Sequence, residues 1–494
     1  MLKKIFLILL FINATNCSKL KKAKTVSKIA MYGAITGFFI KLMVDMNGKN
    51  KELTEKAKCD TKPENIKITF KDIVGLEEAK KELQDYINFV KNPVKYKKFG
   101  CKFPRGILLT GSPGNGKTYL ANAFAGELKC QFYNLSANDL KSKYYGETEQ
   151  NIKELFDKCP KNEPVVIFID EIDAIGSKRK TANNDYDQHT NSILDELLIQ
   201  IDYLDKLDVP TFVVAATNNI DWLDDALIRP GRFDKIINLE NPHTEERVKF
   251  FEEFATRLPL SENFDLDYAA ELTSGYSFAK MKSIINQASL IALRRDSERI
   301  EFSDFEEAVD SYDVGLKKDL KLSDKHLLEI AFHEAGHTLA AVLLDLPYKI
   351  NKVTINARGK AAGFTQIVDK GSNNYSKNEL LNIITMLLCG RIGQELLTNK
   401  IDTGAADDLA RATNLAKKLV CDFGMHDNTI RIIDDYQAKY STHIQDAIEA
   451  VLKDCYAQGT QLLQNNYHKL EKLGLALFEK KSLSRKEIMQ ILDN

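Results

Sequence analysis

The sequence predicts an α/β nucleotide-binding module with a helical lid, then a mainly α-helical domain built on a metal-hydrolase motif, behind one or two N-terminal membrane segments. Three stretches predict it. Gly106–Leu128 reads strand, glycine-rich loop, helix; Val165–Ile169 is an apolar strand ending in Asp170-Glu171; and His333-Glu334-Ala335-Gly336-His337 is an H-E-x-x-H motif. A chain of 494 residues has room for two or three domains with proper cores. A composition 44% hydrophobic and 28% charged is globular, which excludes a disordered or polytopic membrane chain. The net charge of −1, with no basic patch, gives no nucleic-acid surface. Eight cysteines (17, 59, 101, 130, 159, 389, 421 and 455) include no C-x-x-C pair, so reduced structural thiols are expected rather than a disulfide framework or a zinc knuckle.

At the N-terminus, Ile5–Ile12 is a short apolar run behind Lys3-Lys4, a signal-like or first membrane segment within residues 1–18. A second run, Ile29–Val44, is broken only by Lys41, which lies near its end where the amine can snorkel to the interface; a transmembrane segment over 29–45 is expected. Lys19, Lys21, Lys22, Lys24 and Lys28 lie between the runs and by the positive-inside rule belong on the cytoplasmic side. The nucleotide site that follows Val44 also needs the ATP-containing side, so charge alone leaves the topology open. Residues 46–65, charged and carrying Pro63, read as a linker.

From Ile66 strands alternate with amphipathic helices, the signature of a parallel sheet. The buried strand Gly106–Thr110 runs into Gly111-Ser112-Pro113-Gly114-Asn115-Gly116-Lys117-Thr118, which is G-x-x-x-x-G-K-[ST] in its required context. Gly111, Gly114 and Gly116 let backbone N–H groups wrap phosphates, Lys117 neutralises the outer ones, and the Thr118 hydroxyl is a Mg²⁺ ligand. The strand Val165–Ile169 is apolar on both faces and delivers two carboxylates at its end, Asp170 for Mg²⁺ and Glu171 to polarise the attacking water. A further buried strand, Thr211–Ala216, ends in Thr217-Asn218, whose amide can sense a γ-phosphate. Arg229 and Arg232 stand on the turn Arg229-Pro230-Gly231-Arg232 and are expected to act as fingers on a neighbouring subunit's nucleotide.

Residues 66–312 resemble an AAA+ ATPase module, with Ala215–Asp234 as its second region of homology. The resemblance implies a ring, normally a hexamer, with Arg229 and Arg232 acting in trans, and binding of ATP with Mg²⁺. It makes Ile73-Val74-Gly75 the adenine-pocket stretch, with Ile73 and Gly75 as contacts. It makes Lys143-Tyr144-Tyr145-Gly146 the pore loop, with Tyr144 gripping substrate. Residues 66–240 would be the large subdomain and 241–312 the helical lid, in which Ser277-Phe278-Ala279-Lys280 departs from the family's Ser-Gly-Ala-Asp.

On a helix, residues four apart share a face, so His333 and His337 can present two imidazoles to one metal ion, with Glu334 beside a water held there. Catalytic zinc takes a third protein ligand. Ala340 and Leu343 occupy the Gly and His positions of H-E-x-x-H-x-x-G-x-x-H, which excludes that class. No glutamate occurs between Ala335 and Asn378, so the ligand comes from further on; Glu395, Asp402, Asp407 and Asp408 are the candidates.

A module of this kind followed by Ala331-Phe332-His333-Glu334-Ala335-Gly336-His337 resembles the FtsH-type membrane-bound AAA+ zinc metalloproteases. The likeness runs from residue 66 to about 425 through Val353-Thr354-Ile355, Gly390-Arg391, Thr403-Gly404-Ala405 and Ala412-Thr413-Asn414-Leu415-Ala416. It implies a zinc peptidase domain over 320–494, with Asp408 as the third ligand, Asp407 as runner-up and Glu395 as a carboxylate near the site. Departures are the very short loop at residues 14–28, the short polar segment 359–379 and the trimmed Phe423–Ile433.

The resulting expectation is an ATP-dependent, processive zinc endopeptidase of membrane and soluble polypeptides. Its place would be a bacterial inner membrane with the catalytic domains in the cytoplasm, or an organelle membrane of similar origin. The competing expectation is an unfoldase or remodelling chaperone with an inactive peptidase half, which would be expected to have lost His333, Glu334 or His337. An adaptor that binds nucleotide without turnover is disfavoured by Glu171.

Overall fold

The computed structural model of the chain describes residues 63–64, 66–101, 104–140, 147–160, 163–178, 185–204, 209–318, 322–369, 374–401, 403–426 and 442–493, with the backbone alone at 97 and 185–190. The membrane segments expected at 1–18 and 29–45, Tyr144, Tyr145 and Gly146 of the expected pore loop, and Asp402 lie outside the described residues. The chain divides into two compact units. One comprises the described parts of Met1–Lys67, Val94–Leu108 and Leu128–Ile236; the other comprises Ile68–Pro93, Leu109–Glu127 and Ile237–Asn494.

In chain order the elements used below are α1 (Glu77–Lys91), β1 (Gly106–Thr110), α2 (Lys117–Leu128), β2 (Gln131–Ser136), α3 (Glu147–Lys158), β3 (Val165–Asp170), α4 (Asp185–Leu204), β4 (Thr211–Thr217) and β5 (Lys235–Asn238). The lid follows as α5 (Thr244–Ala255), α6 (Leu266–Leu272), α7 (Phe278–Arg294) and α8 (Phe302–Asp313). The peptidase part is α9 (Asp324–Leu343), β6 (Tyr348–Thr354), β7 (Phe364–Asp369), α10 (Lys377–Thr398), α11 (Ala406–Cys421), α12 (Thr442–Asn465), α13 (Tyr467–Lys480), β8 (Ser482–Ser484) and α14 (Arg485–Asp493).

The first unit holds a sheet of order β2-β3-β4-β1-β5, whose β1 and β5 run on into the second unit. β2, β3 and β4 pair in parallel. β4 is buried along its whole length and β3 up to Ile169, as apolar runs covered on both faces must be. The helical period of α3 and α4 puts Ile152, Leu155, Leu194, Leu197 and Ile201 against that sheet.

In the second unit, α1 and α2 meet edge-on through Tyr86 and Phe124, their ring centroids 6.3 Å apart. The lid closes over an aromatic core that includes Phe250, Phe251 and Phe305. The peptidase part is a helical bundle with a small antiparallel sheet of order β7-β6-β8. α9 begins at Ser323, whose side chain accepts the His326 N–H, and α10 begins in a Ser376–Glu379 capping box. α10 is long and apolar enough to cross a membrane, but 61% of its most apolar stretch is buried, with Ile384, Leu388 and Ile392 in the peptidase core.

The lid and the peptidase part are joined by charge. Lys352 on β6 pairs with Asp310 of α8 at 2.8 Å, and Arg358, 4% exposed, forks onto Glu307 at 2.8 and 2.5 Å. Asp310 also lies 3.4 Å from Arg358. Where the chain leaves α8, Gly315 (φ +111°) passes so close to Gly359 that a Cβ would stand 2.9 Å from its Cα.

α9 and α10 pack at backbone distance. A Cβ on Gly336 would lie 2.2 Å from the Cys389 carbonyl oxygen, and one on Gly393 would lie 2.5 Å from that of Phe332. Gly336→Ala must therefore separate the two helices. We expect it to destabilise the peptidase part by about 2 kcal/mol, read as a lower urea midpoint at unchanged slope.

Candidate active site

The phosphate loop lies in the second unit. Gly111 (φ +134°), Gly114 (φ +85°) and Gly116 (φ +86°) all take backbone angles that only glycine adopts without strain. The Lys117 amine, nearly buried, donates to the carbonyls of Gly111 at 2.7 Å and Ser112 at 3.1 Å, which keeps it inside the loop. Thr118 follows in the first turn of α2. Asn115 is fully buried and ties the loop to Leu239 and Asn241.

The lid holds this loop and, separately, the stretch around Gly75. The Ala279 N–H donates to the Gly114 carbonyl at 3.1 Å, so the Ser277–Lys280 turn, despite its departure from the family pattern, sits on the phosphate loop. Ile73 is buried, and its carbonyl accepts the Lys80 amine. Gly75 (φ +70°) lies against Glu246 of α5, which also accepts the Leu76 N–H at 2.8 Å.

The acidic and arginine residues lie in the first unit. Asp170 ends β3, and its Oδ1 accepts the Glu171 N–H at 2.9 Å. Glu171 is held left-handed at φ +53°, a sparsely populated conformation for a residue with a side chain, and its carboxylate accepts from Asn138 at 2.8 Å. Asn218 follows β4 directly and is exposed. Arg229 is exposed, whereas Arg232 forks onto Asp202 of its own chain at 2.8 and 2.9 Å and donates to the Ala226 carbonyl.

The metal-type site lies in the peptidase part. His333, His337 and Asp408 each offer one ligand atom, and the three atoms lie within 4.8 Å of one another. Asp408 Oδ2 is 3.1 Å from His333 Nε2 and 3.3 Å from His337 Nε2. His337 Nδ1 lies 2.8 Å from the Met386 carbonyl, which can only accept, so Nδ1 carries a proton and the neutral imidazole that binds a metal presents its lone pair on Nε2. Burial opposes a charged ring, but the Asp408 carboxylate beside Nε2 outweighs it and raises the tendency of His337 to take a second proton there. Two imidazole nitrogens and one carboxylate oxygen, with a second partner fixing one imidazole, are the donor set a catalytic zinc takes, and the residues fit that ion.

Among the other candidates, Asp407 is exposed one position away, and Glu395 accepts from the Tyr456 hydroxyl rather than joining the convergent set. Glu334 is 5% exposed, and its Oε2 accepts from Thr365 Oγ1 at 3.0 Å. Gly390 faces the imidazoles from α10: a Cβ there would stand 2.3 Å from His337 Nε2 and 2.8 Å from His333 Nε2. Thr365, Gly390 and the Met386 carbonyl carry no sequence signal of their own apart from the small residue in Gly390-Arg391.

Burial lifts the Glu334 carboxyl above its ordinary range, only partly offset by the charges of His337 and His333 and by the Thr365 hydrogen bond. Burial also works against an ionised Asp408, but the hydrogen bonds and charges of the two histidines outweigh it and hold that carboxyl well below the usual range. The two carboxyls of the site are thus shifted in opposite directions, Asp408 down and Glu334 up.

Residues 107–241 match the ATPase family associated with various cellular activities (AAA), 263–307 the AAA+ lid domain, and 320–491 Peptidase family M41. The ATP-dependent zinc metalloprotease FtsH 2 of Thermoanaerobacter sp. (strain X514) is 38% identical over 435 residues, 88% of this chain and 84% of its own length. The FtsH proteases of Thermus thermophilus and Bacillus subtilis are each 34% identical over 89% of this chain and 72% of their own.

Gly390→Ala would push α10 and the imidazoles apart. We expect zinc affinity to fall tenfold or more, on the order of what the loss of a ligand-orienting partner costs, as measured by competition with a chelator.

Proposed function

The chain belongs to the FtsH family of ATP-dependent zinc metalloproteases, and from that premise we propose that it works as a membrane-attached ring, normally a hexamer, that draws polypeptide through its pore and cleaves it. The observation that carries the reading is the convergence of His333, His337 and Asp408 beside the buried Glu334, in a chain with a complete phosphate loop. A remodelling chaperone with a dead peptidase would have no need of all four, and nothing favours it.

In the nucleotide site, Gly111, Gly114, Gly116 and Lys117 would hold the phosphates of ATP, with Lys117 exchanging its two loop carbonyls for phosphate oxygens. Ile73 and Gly75 would contact adenine. Thr118 and Asp170 would hold Mg²⁺, Glu171 would orient the attacking water, and Asn218 would sense the γ-phosphate. Arg229 and Arg232 would reach the neighbouring subunit's nucleotide, Arg232 by leaving Asp202. Tyr144, with Tyr145 and Gly146, would grip the substrate in the pore.

His333, His337 and Asp408 would hold zinc. Bound there, zinc supplies Lewis-acid polarisation of the scissile carbonyl and lowers the pKa of water toward neutral. Glu334 then takes the water's proton on its carboxylate and delivers it to the leaving amine nitrogen. The raised Glu334 carboxyl makes its anion a stronger base toward the water's proton. The apolar run Ile29–Val44 supports attachment to a bacterial inner membrane with the catalytic parts on the ATP side, or to an organelle membrane of similar origin.

Glu334→Gln should retain zinc and ATPase activity while losing cleavage of an unfolded fluorescent casein by at least a hundredfold, on the scale expected for removal of a general base. Cleavage that survives this change would refute the assignment. Lys117→Ala should abolish both ATP turnover and digestion of a folded substrate; digestion that persists would break the coupling of the two activities.

A further inference from the structure

Strand β7 touches two working parts of the second unit at once. Side chains along a strand alternate between faces, so Thr365 and Ile367 share one face with the preceding Gly363, and Gln366 and Val368 share the other. On the first face the strand presses on the catalytic carboxylate. Thr365 Oγ1 donates to Glu334 Oε2 at 3.0 Å and lies 3.3 Å from Thr338 Oγ1, while a Cβ on Gly363 would stand 2.9 Å from Glu334 Cγ and 3.0 Å from its Oε1. Ile367 continues this face into the peptidase core. On the second face Val368, 7% exposed, belongs to the lid core together with Phe305 and Val309. The strand's partner β6 is held to the lid as well, through Lys352 and Asp310.

The last torsion of a glutamate side chain is broad and weakly two-fold, so the chain itself does not fix the plane of the Glu334 carboxylate. The hydroxyl of Thr365 does, by engaging Oε2 from one direction. A strand is stiff along its length, and this one has its first residues on the base and its far end in the lid. We propose that Thr365 is a positioning residue that sets the plane of the Glu334 carboxylate, and that the lid, by holding Val368, sets where Thr365 stands. β7 thereby carries the state of the ATPase lid to the peptidase centre. The inference rests on the peptidase reading above and adds a route by which nucleotide tunes the chemical step, apart from any effect on substrate delivery.

The test uses the full-length, zinc-loaded protein and a short unstructured fluorogenic peptide, with kcat and KM measured separately, with and without ATP. Wild-type cleavage that Glu334→Gln abolishes secures the underlying reading, so failure there is distinct from failure here. Thr365→Val should lower kcat about tenfold to a hundredfold, the loss of one hydrogen bond to a charged group, while KM, zinc content and ATPase activity hold. Thr365→Ser, which keeps the hydroxyl, should restore most of it. Thr365→Ala, with less demand on packing, should follow the valine variant. Val368→Ala, distant from the base, should lower kcat severalfold and narrow the difference between ATP-bound and nucleotide-free enzyme. An unchanged kcat in Thr365→Val, no rescue by serine, or loss of zinc or ATPase activity would overturn the positioning role. A Val368→Ala enzyme with wild-type kcat in both nucleotide states would overturn the link to the lid.

Discussion

The contact between α9 and α10 at backbone distance underlies everything in the peptidase half. Helices usually pack 8–10 Å apart because side chains stand between them. Here Gly336, Gly390 and Gly393 remove those side chains at the contact, and the Cys389 and Phe332 carbonyls occupy the space. Only then can His337 reach the carbonyl of Met386, whose second lone pair remains open to it. That bond fixes the tautomer, and the tautomer turns a lone pair toward His333 and Asp408. The convergence of His333, His337 and Asp408 is therefore a packing property before it is a property of the three side chains.

The second unit joins chemistry that the sequence keeps far apart. The phosphate loop is held by the lid through Gly114 and Ala279, the stretch around Gly75 through Glu246, and the lid in turn reaches the peptidase part through α8. Leaving α8, the chain is pinned at once, with the Lys318 N–H on the Ala357 carbonyl at 2.8 Å and the Gly359 N–H on Leu316 at 3.0 Å.

What was legible in the sequence follows the range of the forces involved. The apolar strands β3 and β4, the phosphate loop and the paired histidines are local patterns, set by periods of two and 3.6, and each lies where those periods put it. The third member of the convergent set is not local: Asp408 stands 71 and 75 residues from the histidines, and four acids are open on spacing alone. Helical phase separates two of them, since one residue turns the side chain by about 100°, and Asp407 accordingly faces outward. Glu395 is committed to Tyr456, a partner on another helix that no spacing rule could supply. Thr365 was invisible for the same reason, because a lone threonine on a short strand has no signature until the strand is laid against α9. Arg232 shows the converse, a motif arginine whose bond to Asp202 only the fold reveals.

Arg358, Lys352, Glu307 and Asp310 form a set of charges between lid and peptidase, in which Arg358 and Asp310 are only 4% exposed while Glu307 reaches solvent. Removing either of the two buried members, Arg358 or Asp310, strands its partner, at a cost of about 3–5 kcal/mol, whereas replacing a buried pair by apolar residues is often neutral. Divergence at this boundary is thus constrained to move by concerted exchange. A lid and a peptidase part taken from different chains would therefore fit together only when both bring matching charges to this boundary.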